Sequence, residues 1–596
     1  MQKELDVQHK DVHADDTADG FLPRRIVDLG VGSASRPRLA ESPDRNSVDR
    51  YATLSYCWGP LSEARQQLKL TRENQEQFHK DIPVEGMSPV LHDTIRVCRA
   101  LKIQYIWIDA LCILQGDKTD WEEQSSQMDK IFQHSYVTIC AASSSSCMEG
   151  FLQRPRDSCR PSIRIPYIDE TSNESCGAYS LRMTSKRQNW PVPKPQPLTY
   201  AMLSSEERDL KLSAWAYRGW VFQERFVSSM QIIFGATMLH IERAGIVISE
   251  NGETRRRDPL SPRPLSLSGF PTFESISIGG RHLPDHWYRI VEEYSGMSWT
   301  EKFDLFPGLS GIAACFERAM QDTYVAGLWQ HDLHCGLLWR TGTSKSRDIS
   351  NLDELVTFLE DDGLQIAPSW SWASRPNYVL FKISPRQNSL CFARSHLRRE
   401  FTLLDSSIAI DGVNPLGRIK KASLKISGFV VRLKTGHMPL TQENVSTWEY
   451  TTSGGHTLTM NTDWVDWKNG KIDAENVEMA NVGKLQLLIV SSCCSDWSGT
   501  SSIDAAPNSS IKKASDATWI TYKPQYCSSF LDSTLETAAT CPQCLETGRR
   551  RDIWGLLIYP TGLGMTFYRV GTFLCRAERG GSDLLQEAEE KGIELC

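Results

Sequence analysis

The sequence predicts an α/β domain at the N-terminal end, then a helical segment, then a β-rich C-terminal region. Three observations predict it. Strand-like and helix-like patterns alternate between residues 22 and 150, amphipathic helical spacing takes over after residue 286, and β-type runs dominate beyond Pro368. The composition permits this architecture. Of 596 residues, 40% are hydrophobic and 23% charged, as in an ordinary globular chain with large cores. A net charge of −7 gives no general attraction for nucleic acid or anionic lipid, so neither is expected as a partner. Apolar clusters such as residues 487–490 and 556–559 are too short to cross a bilayer. Residues 1–20 lack the apolar stretch of a signal peptide. The 17 cysteines are odd in number and fall inside strand-like and helix-like segments, which suits buried thiols in a reducing compartment. A cytoplasmic protein without a membrane span is expected.

The elements follow in order. Residues 1–21 are polar and acidic, and a disordered tail is expected there. The α/β domain is expected over 22–250. Residues 22–30 (LPRRIVDLG) predict a first strand, and the Ser/Pro/Arg stretch 33–48 a surface loop. Residues 51–58 (YATLSYCW) predict a strand stopped by Gly59-Pro60, and 90–101 place Ile95, Cys98 and Leu101 at helical spacing. Residues 104–113 (QYIWIDALCI) are apolar on both faces, as a central parallel strand requires. Over 117–134, Trp121, Gln124, Met128, Ile131 and Phe132 make one helical stripe, and 136–142 (YVTICAA) predict a third strand. An irregular stretch leads to a helix over 213–227 and short β pieces at 231–234 and 238–241. A loop or linker is expected over 251–285. The helical segment covers 286–366, with Trp287, Ile290, Val291 and Tyr294 on one face. The β-rich region covers 367–596, with strands at 424–433, 484–491, 553–559 and 565–574 and a Ser/Thr-rich insertion near 496–550.

Three segments can carry chemistry, and each has a structural alternative. The first is Ser55-Tyr56-Cys57-Trp58-Gly59, which delivers a hydroxyl, a phenol, a thiol and an indole to one strand end. Such ends bind ligands in α/β sheets, although the same residues can be an aromatic plug on a core strand. In the second, 105–115, alternation sets Tyr105, Trp107 and Asp109 on one face, and Gln115 closes the segment. Asp109 is either a ligand-facing carboxylate or the cap of a following helical turn. The third, 218–225 (RGWVFQER), puts Trp220 and Glu224 at i and i+4 with Gln223 beside them. With Arg218 and Arg225 it can grip a hydroxylated or phosphorylated ligand, or form a buried ion-pair lattice that includes Asp109. The single CxxC at Cys541 and Cys544 lacks a second ligand pair and is not expected to bind zinc. No metal ligand is expected.

In this order, residues 51–59 (YATLSYCWG), 105–115 (YIWIDALCILQ), 128–142 (MDKIFQHSYVTICAA) with Gly150, and 218–224 (RGWVFQE) resemble the fungal heterokaryon incompatibility (HET) domain. Further pieces resemble its usual C-terminal continuation, among them 304–313, 324–329, 337–340 and 367–372 (APSWSW). Leu114 and His134-Ser135 depart from the family's common pattern outside the main motifs. The resemblance implies non-self recognition and regulated cell death, with a protein partner or self-association. It also implies a remote link to TIR domains, and so a TIR-like parallel sheet. Some TIR domains cleave NAD with a catalytic glutamate. By that analogy Glu224 and Asp109 are the candidate catalytic carboxylates and NAD is a candidate substrate. Ser55, Tyr56, Trp58, Gly59, Trp107, Gln115, Arg218, Trp220 and Gln223 are the accompanying motif residues. A hydrolase of this type, or an accessory protein of a secondary-metabolite pathway, is the alternative to a signalling protein. No cofactor is expected.

Overall fold

Segments apolar on both faces take the middle of a nine-stranded sheet. Its first strands are β1 (Arg25–Asp28), β2 (Arg38–Glu41), β3 (Tyr51–Ser55), β4 (Tyr105–Trp107) and β5 (Val137–Cys140). A separate hairpin joins β6 (Ser162–Ile168) to β7 (Ser175–Arg182). The large sheet then resumes with β8 (Met230–Phe234), β9 (Leu239–Arg243), β10 (Ile246–Ser249) and β11 (Thr254–Arg256). The order is β11-β10-β9-β8-β5-β3-β4-β1-β2. Only the centre, β8-β5-β3-β4, is parallel, and antiparallel strands extend both edges. The three strands expected at residues 51–57, 105–109 and 136–141 therefore do share one sheet. The computed structural model describes residues 21–154, 204–256, 283–342, 349–381, 397–433, 447–464, 483–494 and 551–596, apart from a few positions within them, plus short strands at 162–168, 175–182, 441–444, 467–468 and 471–472. The expected tail, the 496–550 insertion, Cys541 and Cys544 lie outside the described residues.

Helices cover the sheet. Helix α1 (Pro89–Ala100) begins with proline at its first turn, and a short turn of helix α2 (Asp109–Cys112) follows β4. Next come α3 (Lys118–Ser125), capped by the Asp117 side chain, and α4 (Met128–Gln133). The expected continuous stripe over 117–134 is thus two helices, parted at Ser126 and Gln127. The expected loop over 33–48 contains β2, which pairs with β1 because Leu39 buries itself and Arg38 reaches Asp28. The expected helix over 213–227 begins only at Gly219. Trp215–Tyr217 forms a 3-10 turn and Arg218 is extended, so the helix proper is α5 (Gly219–Val227).

The next helices, α6 (Leu283–Ser295) and α7 (Pro307–Met320), belong to a core that includes Phe222 of α5, Trp287, Trp329, Trp370 and Trp372. That core continues into a second, ten-stranded sheet containing Phe401–Ile410, Ile419–Arg432, Gln486–Cys494, Arg551–Pro560 and Thr566–Cys575. Within the expected linker, β11 occupies 254–256 and α6 starts at Leu283, while 257–282 lie outside the described residues. No helix among the described residues is long and apolar enough to cross a membrane.

Helix α7 rests on α4 and α5 at Gly311, whose N–H donates to Gln223 Oε1 at 2.9 Å. A Cβ on Gly311 would lie 2.2 Å from Asp129 Cβ. Gly311→Ala therefore has to push the helices apart, and we expect it to destabilise the chain by about 1–3 kcal/mol, read as a lowered Tm. A variant melting with the wild type would show that this contact does not hold α7 in place.

Candidate functional site

From the carboxyl end of β3 the chain passes through Tyr56, Cys57 and Trp58 into Gly59-Pro60. Gly59 sits at φ +83, and a Cβ there would lie 2.3 Å from Ser146 Cβ, so glycine lets the loops after β3 and β5 touch. Beside this loop, α2 brings in Asp109. The expected strand over 104–113 stops at Trp107, because the Ile108 carbonyl accepts from the Leu111 and Cys112 N–H groups and starts a helical turn. Helix α5 supplies Arg218 at its N-cap and Glu224 nearly two turns further in. The ends of two neighbouring parallel strands and one helix thereby converge, the usual location of ligand sites in such sheets.

Hydrogen bonds fix the groups. The Trp58 indole N–H donates to Asp109 Oδ2 at 2.8 Å, and the Ala110 N–H donates to Oδ1 at 2.6 Å. Tyr56 accepts from Gln67 Nε2 at 2.7 Å, and its phenol also faces Asp109. Ser55 donates to Glu224 Oε2 and accepts from the Trp215 indole, the latter at 2.8 Å. Arg218 donates to the Tyr56 carbonyl oxygen. Lys69 stands 5.3 Å from the centre of the Trp58 ring.

Burial raises the Glu224 carboxyl to about 7; the Ser55 hydrogen bond and the Arg218 charge oppose the rise, and the Asp109 charge adds to it. Burial raises Asp109 as well, against its bonds to Trp58 and Ala110. The Cys57 thiol is also pushed up by burial, which Arg218 only partly offsets, so it is no ready nucleophile. Trp58, Asp109, Arg218 and Glu224 are half-buried, while Ser55, Tyr56 and Cys57 close the cluster from within. Two carboxyls on partly buried residues, one of them half-protonated near neutrality, thus lie beside an indole and a guanidinium. That arrangement can hold a polar ligand and move a proton on it.

The other motif residues lie elsewhere. Trp107 is fully buried and packs edge-on against Phe132. Gln115 donates to the Asp109 and Ile113 carbonyls and so braces the α2 turn. Gln223 turns away to Gly311. Trp220 packs on Trp121 and donates to Asp304 at 3.2 Å, so sharing a helix face with Glu224 does not place it at the site. Of the two arginines in the ion-pair alternative for Asp109, Arg225 contacts Glu206 and Glu242 instead, while Arg218 donates to the Tyr56 carbonyl and reaches Asp109 through its charge. Sequence reasoning missed Trp215, Gln67 and Lys69. Trp215 precedes the helix in a 3-10 turn, and periodicity carries no signal for it.

The fold and this cluster define an α/β domain with a polar site at the carboxyl ends of its parallel strands. Residues 51–224 match the family model described as heterokaryon incompatibility protein (HET), so the chain carries a HET domain, and all the motif residues above fall inside it. Neither a curated protein nor a solved structure matches the chain.

The Glu224 carboxyl holds more proton in the folded chain than in the unfolded one between about pH 4.5 and 7. Its contribution to stability therefore falls as pH rises through that window, by roughly 1–3 kcal/mol in all. Glu224→Gln keeps the acceptor for Ser55 and removes the titration. We expect denaturation at pH 8 to show the variant at least as stable as the wild type, with the difference shrinking at pH 5. A variant destabilised equally at both pH values would contradict the assignment.

Proposed function

We propose that the chain acts in heterokaryon incompatibility, where non-self recognition ends in growth arrest or cell death, with its HET domain as the effector part. The family match over residues 51–224 carries this reading. The partner is a second protein or another copy of the chain.

A second reading, that the domain is an enzyme, is favoured by the half-buried Glu224–Asp109 pair. A filled lattice of ion pairs would suit a purely structural role. Here the carboxylates are oriented by Ser55, Trp58 and a backbone N–H instead. Two carboxyls, one protonated near neutral pH, are the equipment for cleaving a glycosidic bond, and the nicotinamide–ribose bond of NAD is of that kind. Glu224, in its ionised form, would take the proton from the water that attacks the sugar as neutral nicotinamide leaves with the bonding pair. Asp109 would stabilise developing positive charge on the sugar, and Arg218 would hold a phosphate or hydroxyl. The four-stranded parallel centre of the sheet supports the TIR-like part of this reading.

The test is expression of wild type, Glu224→Gln and Asp109→Asn in a fungal host, alongside incubation of each purified protein with NAD. We expect the wild type to arrest growth and release nicotinamide, with a rate inflection near pH 7. Glu224→Gln should lose roughly 100-fold or more of the turnover together with the growth arrest. Arrest that persists in Glu224→Gln without NAD loss would leave the signalling reading and remove the enzyme. A wild type that neither arrests growth nor cleaves NAD would remove both.

A further inference from the structure

Far from the HET motifs in sequence, the chain leaves a short hairpin (Tyr324–Val325 with Leu328–Trp329), passes through the turn Gln330–Asp332 and enters helix α8 (Leu333–Gly336). This path gathers three different donors. One ligand atom each from Asp332, His334 and Cys335 lies within 4.8 Å of the others. His334 Nδ1 is 3.9 Å from Asp332 Oδ1. Asp332 is 4% and Cys335 0% exposed, and the His334 side chain, 13% exposed, is the most open of the three.

We propose that Asp332, His334 and Cys335 bind a zinc-class divalent cation. Tetrahedral zinc takes oxygen and nitrogen ligands at about 2.0 Å and sulfur at about 2.3 Å, which sets ligand atoms roughly 3.3–3.8 Å apart. The observed separations, 3.9 Å between His334 and Asp332 and at most 4.8 Å in the group, exceed that spacing by no more than about 1.5 Å. Its donors suit a borderline metal: calcium and magnesium prefer oxygen alone, while zinc accepts carboxylate, imidazole and thiolate together. One carboxylate and one thiolate also balance a charge of +2.

The surroundings support the ligands. The Tyr288 hydroxyl, from α6, donates to Asp332 Oδ2 and orients it, as outer partners of metal ligands do. Arg399 donates to the Gln330 and His331 carbonyls at 3.1 and 2.6 Å and interacts electrostatically with Asp332 and Cys335. It thus holds the turn from outside and favours the anionic forms that a metal requires. The cation would clip this turn where α6 and the ten-stranded sheet meet. Three protein ligands leave one position for water on the His334 side.

The test is titration of the whole purified chain with Co²⁺, then displacement by Zn²⁺. One equivalent of Co²⁺ should give a thiolate charge-transfer band that Zn²⁺ abolishes. Cys335→Ser should lose the band, and His334→Gln, which keeps a polar side chain of similar size, should bind at least tenfold more weakly. Cys541→Ser/Cys544→Ser should keep the band. Zn²⁺ should raise the Tm of the wild type and leave that of His334→Gln unmoved. Absence of the band in the wild type, its survival in Cys335→Ser, or its loss in the Cys541/Cys544 variant would overturn the proposal.

Discussion

Helix α5 is held on two sides at once, and the candidate site depends on that. Successive residues of a helix point about 100° apart. Gln223 therefore faces α7, where the Gly311 N–H reaches it; Glu224 faces the end of β3, where Ser55 reaches it; Arg225 faces Glu206 and Glu242. Three neighbouring polar residues are anchored in three directions, which leaves the helix little freedom to rotate. Glycine makes two close approaches possible around the helix: a Cβ on Gly219 would fall 2.0 Å from the Trp299 ring, and one on Gly311 2.2 Å from Asp129. Because Trp299 and Gly311 come from beyond residue 224, the HET segment alone does not contain everything that positions Glu224.

Residue type is legible in the sequence where burial dictates it. β3, β4 and β5 are buried on both faces, so their apolar runs announce central parallel strands. The pattern fails where a few polar bonds decide. β2 owes its place to Leu39 and to the Arg38–Asp28 pair, which a Ser/Pro/Arg-rich stretch does not reveal. The start of α5 is set by the extended Arg218, and helical spacing over 213–227 reads straight through it. At the site, Ser55, Tyr56, Trp58, Asp109, Arg218 and Glu224 were legible as motifs at strand and helix ends. Trp107, Gln115, Trp220 and Gln223 lie in the same motifs yet serve packing and bracing, a distinction that only the packed chain makes. The HDLHC run at residues 331–335 was open to view, but periodicity does not select it.

Some of the 18 tryptophans tie distant segments together through their indole N–H groups. A buried indole N–H usually finds an acceptor. Although the N–H groups of Trp107, Trp299, Trp329, Trp370 and Trp554 have none among the described residues, three others share two carbonyls. The Gly327 carbonyl serves two, taking Trp287 Nε1 at 3.0 Å and Trp372 Nε1 at 2.9 Å. Gly327 has φ +92, and a Cβ there would meet Trp372 Nε1 at 2.4 Å. The APSWSW segment is thus tied to the 324–329 hairpin through one carbonyl. Trp339 adds a second tie, donating to the Trp370 carbonyl while Arg569 stacks over its ring.

Residue types alone would nominate a different catalytic centre. Asp209, His240 and Ser249 form a hydrogen-bonded chain, with His240 Nε2 2.9 Å from Asp209 and Nδ1 2.9 Å from Ser249. The side chains of His240 and Asp209 are wholly buried, and Asp209 is further engaged by the Thr237 and Met238 N–H groups. Nothing in that chain is open to a substrate, and both imidazole nitrogens are committed, so it fastens β9 and β10 to the helix Ser205–Lys211. Glu224 and Asp109 differ in access rather than in kind. Both belong to residues that are only partly buried, and both are oriented by neutral donors with the Arg218 charge nearby. A group that is to meet a ligand needs access together with fixed orientation, and of these two clusters the one at the end of β3 is the less enclosed.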